Sequence, residues 1–329
     1  MTRAVRALLL VAGLGVVVLL VWSAGPRTVA AMIRRVGWSF VLVALIYSLQ
    51  VAIRAAALWR VMVGSDVPYG DVLRIRLSAE AVETLTFTGP FLAEPAKGWL
   101  LKRRGVAIAA AFAAVVIEYL LYMVASSLLG ILALWLLVSS SMLPGDLRLA
   151  AEVMLAATAA FVGAFLFASV SGIGLIAPCL RASGIVIGRG RADRAAEHFA
   201  RIEELIIRFL HGHHWRLLEV LAIEIAAQVL MLLEIWVVFA ALDLPRSWRS
   251  AAIIEGGVKF VGILFAFVPG QIGVSEGAYA WLASVIGLST SAGLSLALVR
   301  RLRGLVVAAA GVLASALLGH PQPSVDRAS

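Results

Sequence analysis

Phe267-Val-Pro-Gly-Gln-Ile-Gly-Val-Ser-Glu-Gly277 interrupts an otherwise hydrophobic region of the chain. Pro269 removes a backbone donor, and Gly270, Gly273 and Gly277 allow a sharp turn. In lipid, an open turn leaves N–H and C=O groups unpaired. Such a turn is tolerated only where protein buries it or a water-filled cavity borders it. Broken helices of this kind build substrate sites near the midplane of many transporters. A helix restarting near Ser275 would aim its free N–H groups and positive dipole end into the break, a setting that suits a lipid phosphate. A short turn outside the membrane, between two ordinary helices, would carry the same residues.

The composition fits a membrane setting. Of 329 residues, 62% are hydrophobic and only 14% are charged, and the mean hydropathy is +0.99. A soluble domain carries about 25% charged residues. The chain therefore reads as an all-α polytopic integral membrane protein. Its net charge of +9 comes almost entirely from arginine; Lys97, Lys102 and Lys259 are the lysines. In a membrane protein that excess points to basic cytoplasmic loops and anionic lipid rather than to nucleic acid. The single cysteine, Cys179, excludes an internal disulfide and a cysteine metal cluster.

Apolar runs place the spans. Arg3 and Arg6 precede a first apolar run, read as a retained helix over 4–24 rather than a signal peptide. Further spans are predicted at 37–63, 106–138, 149–178, 216–242 and 290–318. The region 70–101 is too polar to cross simply, and 250–288 holds the break. This gives six full spans with two re-entrant pairs, or eight or more spans on a coarser reading. Residues 1–36 form an N-terminal helix and loop, 37–318 the main transmembrane domain, and 319–329 a loose tail.

Arginine placement sets the orientation. The connector from Arg181 to Arg216 holds seven arginines, and Lys102-Arg103-Arg104 forms a second cluster. Both belong on the cytoplasmic side, which puts the N- and C-termini inside as well. Arg27, Arg34 and Arg35 in the loop 25–35 argue the other way, but they are the smaller group. In this orientation 70–101 dips in from the cytoplasm and 250–288 from outside. The order span, dip, span then occurs twice, at 37–138 and 216–318, in opposite senses, as in an inverted repeat. Each dip holds a Pro/Gly break with a nearby glutamate: Gly89-Pro90 with Glu94, and Pro269-Gly270 with Glu276.

Pro269-Gly-Gln-Ile-Gly-Val-Ser-Glu-Gly277 resembles the Pro-Gly-x-x-Gly-x-x-Glu signature of the lysylphosphatidylglycerol synthase transmembrane, or flippase-like, family. Gly89-Pro90-Phe-Leu-Ala-Glu94-Pro-Ala-Lys97 is similar to that family's upstream Pro-x-x-x-Gly-Glu element, with Ala93 in place of Gly. Glu118-Tyr119 stands where the family has Glu-Arg, and Arg300-Arg301-Leu302 resembles its late arginine motif. The resemblance covers roughly 37–318. It implies membrane lipid handling. The best-known members move aminoacylated phosphatidylglycerol between leaflets and carry a separate soluble domain that makes that lipid. This chain resembles the translocation half alone, and is similar in size and layout to stand-alone relatives linked to hopanoid biosynthesis.

Charges inside apolar spans are costly, so they pair or line a polar cavity. Glu255 and Lys259 lie four apart on one helical face and fit an ion pair. Glu276 suits a cationic headgroup, a proton, or simply the N-terminus of the restarted helix. Arg301 suits a phosphate held by two parallel hydrogen bonds. A shorter last span, beginning after Gly304, would instead put Arg300, Arg301 and Arg303 at the interface. Glu118 is expected either in the substrate groove or paired with one of these arginines, and Glu224 and Gln228 fit hydrogen bonding between helices.

The connector over 181–215 is predicted to form an amphipathic helix on the cytoplasmic surface, with Ala195, Phe199, Ile202, Ile206 and Phe209 on one face. His211, His213 and His214 lack the cysteines or spaced carboxylates that would make a metal site. No nucleotide, nucleophile or zinc-protease motif is present, so neither catalysis nor a cofactor is expected. The expected function is lipid translocation across the bacterial inner membrane. The headgroup, a phosphate-bearing lipid or a hopanoid, would lie in a polar groove lined by Glu276, Arg301, Glu118, Glu94 and Lys97, with Ser275, Glu255 and Lys259 nearby. The alternative is a non-transporting scaffold for a lipid-biosynthesis enzyme.

Overall fold

The computed structural model describes residues 34, 36–85, 90–139, 145–171, 189–265 and 273–317. The expected helix over 4–24, Gly89, Pro269, Gly270, Cys179 and the tail 319–329 lie outside the described residues. Among the described residues there are ten long helices and no strand. They are α1 Ser39–Val61, α2 Tyr69–Leu85, α3 Pro90–Lys102, α4 Ile108–Val138 and α5 Gly145–Ser171. After these come α6 Arg189–Gly212, α7 His214–Ala241, α8 Trp248–Leu264, α9 Val274–Val285 and α10 Thr290–Leu317.

Three of these, α1, α4 and α7, are long and apolar enough to cross a membrane. At about 1.5 Å per residue, the 31 residues of α4 exceed the thickness of a bilayer's hydrocarbon core. Leu42, Leu45 and Leu49 stand exposed along one face of α1, the spacing of a lipid-facing stripe. α10 is one continuous helix of 28 residues. It runs through Gly304, so Arg300, Arg301 and Arg303 lie within it rather than before a shorter helix.

The polar regions set aside from the simple spans each become two shorter helices. Pro90 opens α3, where its missing N–H costs nothing and its fixed φ fits the first turn. Gly273, with φ +83, precedes α9, a conformation that glycine adopts without strain. Gly277 does not belong to the break. It lies inside α9, and its N–H donates to the Gly273 carbonyl at 2.9 Å. The helix starts at Val274, so its fourth residue is already in the regular hydrogen-bond ladder.

The helices pack in matched sets. α1 lies along α7; α2 lies along α10, and α8 along α4. α3 rests on α2 and α4, while α9 rests on α8 and α10. Glycine allows both long contacts. A methyl at Gly311 of α10 would overlap the Leu77 carbonyl oxygen of α2, and one at Gly256 of α8 would overlap Ala133 of α4. Two apolar cores result. One gathers Leu58 and Val61 at the end of α1, Val72 near the start of α2, Leu101 of α3 and Ala111 of α4. The other joins Val43 of α1, Leu137 at the end of α4, Phe239 of α7, Ile254 of α8, Leu282 of α9 and Leu296 of α10.

α6 docks on this bundle. Ile206 and Phe209 are buried in the first core, with Ile202 packed against it. The Phe209 and His213 rings stack at 5.2 Å where α6 meets α7. This part of the apolar face expected to lie on a membrane surface is therefore covered by protein.

Candidate functional site: buried ion clusters around a polar cavity

Charges buried between helices form two clusters. In the first, Glu118 of α4 accepts from three cations. Arg54 of α1 donates to Oε1 at 2.9 Å, Arg76 of α2 to Oε1 at 3.4 Å, and Lys97 of α3 to Oε2 at 2.7 Å. Lys97 is fully buried and also meets Glu94 at 2.6 Å. Arg54 reaches Glu224 of α7 at 3.2 Å and stacks 3.8 Å above the Tyr122 ring. Glu118 thus pairs with Arg54, Arg76 and Lys97, and not with Arg300, Arg301 or Arg303 as one expectation had it. Those arginines lie along α10, while Glu118 lines the contact of α4 with α1 and α3 and is reached by Arg76 of α2.

The second cluster reverses the signs. Arg300 of α10 meets Glu234 of α7 at 3.2 Å, donates to Glu255 of α8, and donates to the Tyr279 hydroxyl of α9 at 2.7 Å. Arg303 donates to Glu234 at 2.7 Å and lies 3.4 Å above the Tyr47 ring. Removing ions from water costs several kcal/mol each. That cost is offset only where partners and hydrogen bonds are well placed. Here the ion pairs are close, but Arg54 Nε, Arg76 Nε, both Glu224 oxygens and Glu234 Oε2 are buried without a hydrogen bond among the described residues.

A third, more exposed group joins Arg301 to Glu276. Glu276 also accepts from the Gly273 N–H at 2.8 Å and from the Ser275 hydroxyl at 3.0 Å. Its carboxylate therefore caps the start of α9 and holds Arg301 at the same time.

Between the two buried clusters lies a cavity of about 130 Å³. Arg54, Arg76, Glu80, Glu83, Glu255 and Lys259 give it its charged wall, and Tyr47, Tyr122 and Gln228 add polar edges. Lys259 meets Glu255 at 3.3 Å and donates to the Gln228 side chain, whose amide donates to Ser126 at 2.9 Å. The Tyr47 hydroxyl donates to Glu80, and Arg76 stands 3.8 Å from the same carboxylate.

The eight candidate residues are thus divided. Glu94, Lys97 and Glu118 meet in the first cluster, Ser275, Glu276 and Arg301 in the third group, and Glu255 and Lys259 on the cavity wall. Among the described residues, no three His, Cys, Asp or Glu side chains converge as metal ligands.

Three features now stand together: apolar spanning helices, a charged cavity between them, and a glutamate at the start of α9 held by a late arginine. The family described as lysylphosphatidylglycerol synthase TM region matches residues 8–311. The chain belongs to that family. It is accordingly a membrane protein related to phospholipid metabolism. No curated protein and no solved structure matches it.

In this member of the lysylphosphatidylglycerol synthase TM region family, sequence reasoning missed Arg54, Glu234, Tyr47 and Tyr279. Arg54 and Glu234 each interrupt an apolar run. The rule that singled out Glu118 applies to both.

Proposed function

We propose that the protein moves a lipid headgroup between the leaflets of the bacterial inner membrane, with the headgroup held in the central cavity and the tails left in lipid. The observation that carries this reading is the cavity itself: about 130 Å³, with six charged side chains on its wall, inside a bundle of apolar helices. A purely structural core would fill such a space with apolar side chains. Polar sites between transmembrane helices mark substrate or ion pathways.

In this reading 37–138 and 216–318 are inverted repeats, and α2–α3 and α8–α9 are re-entrant pairs entering from opposite faces. The matched packing of α2 on α10 and of α8 on α4 supports it, as does the separation of the pairs between the two apolar cores. Glu118 with Glu94 and Lys97 closes the cavity toward the cytoplasm. Arg301 with Glu276 and Ser275 holds the second pair beside it. The arginine-rich connector around α6 and both termini face the cytoplasm.

The test is scrambling of fluorescent phospholipids in proteoliposomes, with wild type beside Glu276→Gln, Arg301→Ala and Lys259→Gln. Activity in wild type, lost in Lys259→Gln and reduced in the other two, is the expected result. Absence of movement with every lipid, in folded protein, overturns the reading. It turns attention to a scaffold that acts through the exposed face of α6.

A further inference from the structure

The cavity wall has an internal order. Arg76 and Glu80 are the eighth and twelfth residues of α2, counted from Tyr69; Glu255 and Lys259 are the eighth and twelfth of α8, counted from Trp248. Both pairs are spaced i, i+4 and both line the cavity, with their charges in opposite order. The same reversal extends beyond the wall. Glu118 and Arg300 are the eleventh residues of α4 and α10, and Arg54 and Glu234 each lie seven residues before the last residue of α1 and α7. Matched helices thus present matched positions of opposite sign around one space.

Completed by Arg54 and Glu83, the wall holds, among the described residues, three cations and three carboxylates. Its formal charge is zero. A site built for an anion or a cation carries an excess of the opposite sign, because an uncompensated charge in a low-dielectric interior is strongly disfavoured. This wall has no excess to offer.

Two groups are nonetheless available to a ligand. Glu83 has no ion-pair partner among the described residues. The Arg76–Glu80 pair, at 3.8 Å, is the longest ion pair described and beyond hydrogen-bond distance, and Arg76 Nε is buried without a hydrogen bond among the described residues.

We propose that the cavity takes a net-neutral, zwitterionic group, a phosphate linked to an ammonium, in preference to a net-anionic or net-cationic one. The phosphate sits toward Arg54 and Arg76, and the ammonium toward Glu80 and Glu83. The inference rests on the reading of the cavity as a headgroup site. The same chemistry occurs in a zwitterionic phospholipid and in free glycerophosphoethanolamine.

The experiment uses the full chain in vesicles and three lipids with the same labelled acyl chain: phosphatidylethanolamine, phosphatidylglycerol and a net-cationic O-alkylated phosphatidylcholine. Wild type is expected to move the zwitterion at least about tenfold faster than either charged lipid, equivalent to about 1.4 kcal/mol. Glu83→Gln leaves the wall one positive charge in excess. It is expected to shift the ratio toward phosphatidylglycerol by about tenfold. Equal or faster movement of a charged lipid by wild type overturns the inference and leaves translocation standing.

If no lipid moves, the translocation reading falls, and the thermal stability of the protein in detergent decides this one. Stabilisation by glycerophosphoethanolamine, but not by glycerol phosphate or choline, supports a site for the free zwitterion. No stabilisation, or an equal effect of all three, overturns it.

Discussion

Arg76 of α2 and Glu255 of α8 occupy the same helical position, and each bridges a buried cluster to the cavity. Arg76 donates to Glu118 at 3.4 Å on one side, and Glu255 accepts from Arg300 on the other. Both stand on the cavity wall. A ligand that draws either residue into the cavity must therefore loosen the cluster behind it.

Glu118 is the residue on which the first cluster depends. Glu118→Gln leaves Arg54, Arg76 and Lys97 without the carboxylate they share, and a buried charge deprived of its partner costs about 3–5 kcal/mol. A large fall in the thermal midpoint of the detergent-solubilised protein is expected. Lys97, Arg54 and Arg76 keep Glu94, Glu224 and Glu80 as further partners, so the fall should lie toward the low end of that range.

Two glycines of α10 give a matched comparison. Gly311→Ala forces a methyl onto the Leu77 carbonyl, and overpacking of this kind costs about 1–3 kcal/mol. Gly304→Ala meets nothing within 4 Å and gains helix propensity of up to about 1 kcal/mol. Thermal midpoints are expected to move in opposite directions, which tests the close approach of α2 and α10 directly.

The Arg301–Glu276 pair is about a quarter exposed on both sides, so its coupling is modest. A double-mutant cycle with Glu276→Gln and Arg301→Gln, read by unfolding in mixed micelles, should give about 0.5–1 kcal/mol. Glu276→Gln alone should cost more than Arg301→Gln alone, because it also weakens the cap on the Gly273 N–H.

Phe209 anchors α6. Phe209→Ala should lower stability by about 3–5 kcal/mol and expose 189–212 to protease at concentrations that leave wild type intact. Resistance equal to wild type would mean that α6 is held by other contacts.

The helices were legible because apolar run length and charge spacing report them directly. The stretch 106–138 became α4, and Glu255 with Lys259 met as their i, i+4 spacing required. Partners distant in the chain were not legible. Nothing in the sequence says that Glu118 meets Arg54, 64 residues away, rather than an arginine of α10, because that choice is made by which helices pack. The cavity escaped notice for the same reason. Its wall is assembled from α1, α2, α4, α7 and α8, and Glu80 and Glu83 in the sequence are only two charges in a polar stretch. Glu234 is a different case. It sits in an apolar run, where its cost alone marks it as a buried partner.

The clusters also bear on how the chain enters the bilayer. Arg54, Arg76 and Lys97 find Glu118 and Glu94 before α7 begins, and Arg300 and Arg303 find Glu234 of α7 and Glu255 of α8. The early cations therefore each have a carboxylate within the first set of helices. The first set of helices can settle in the membrane during translation, leaving the contact of α1 with α7 to close the bundle when the second set arrives.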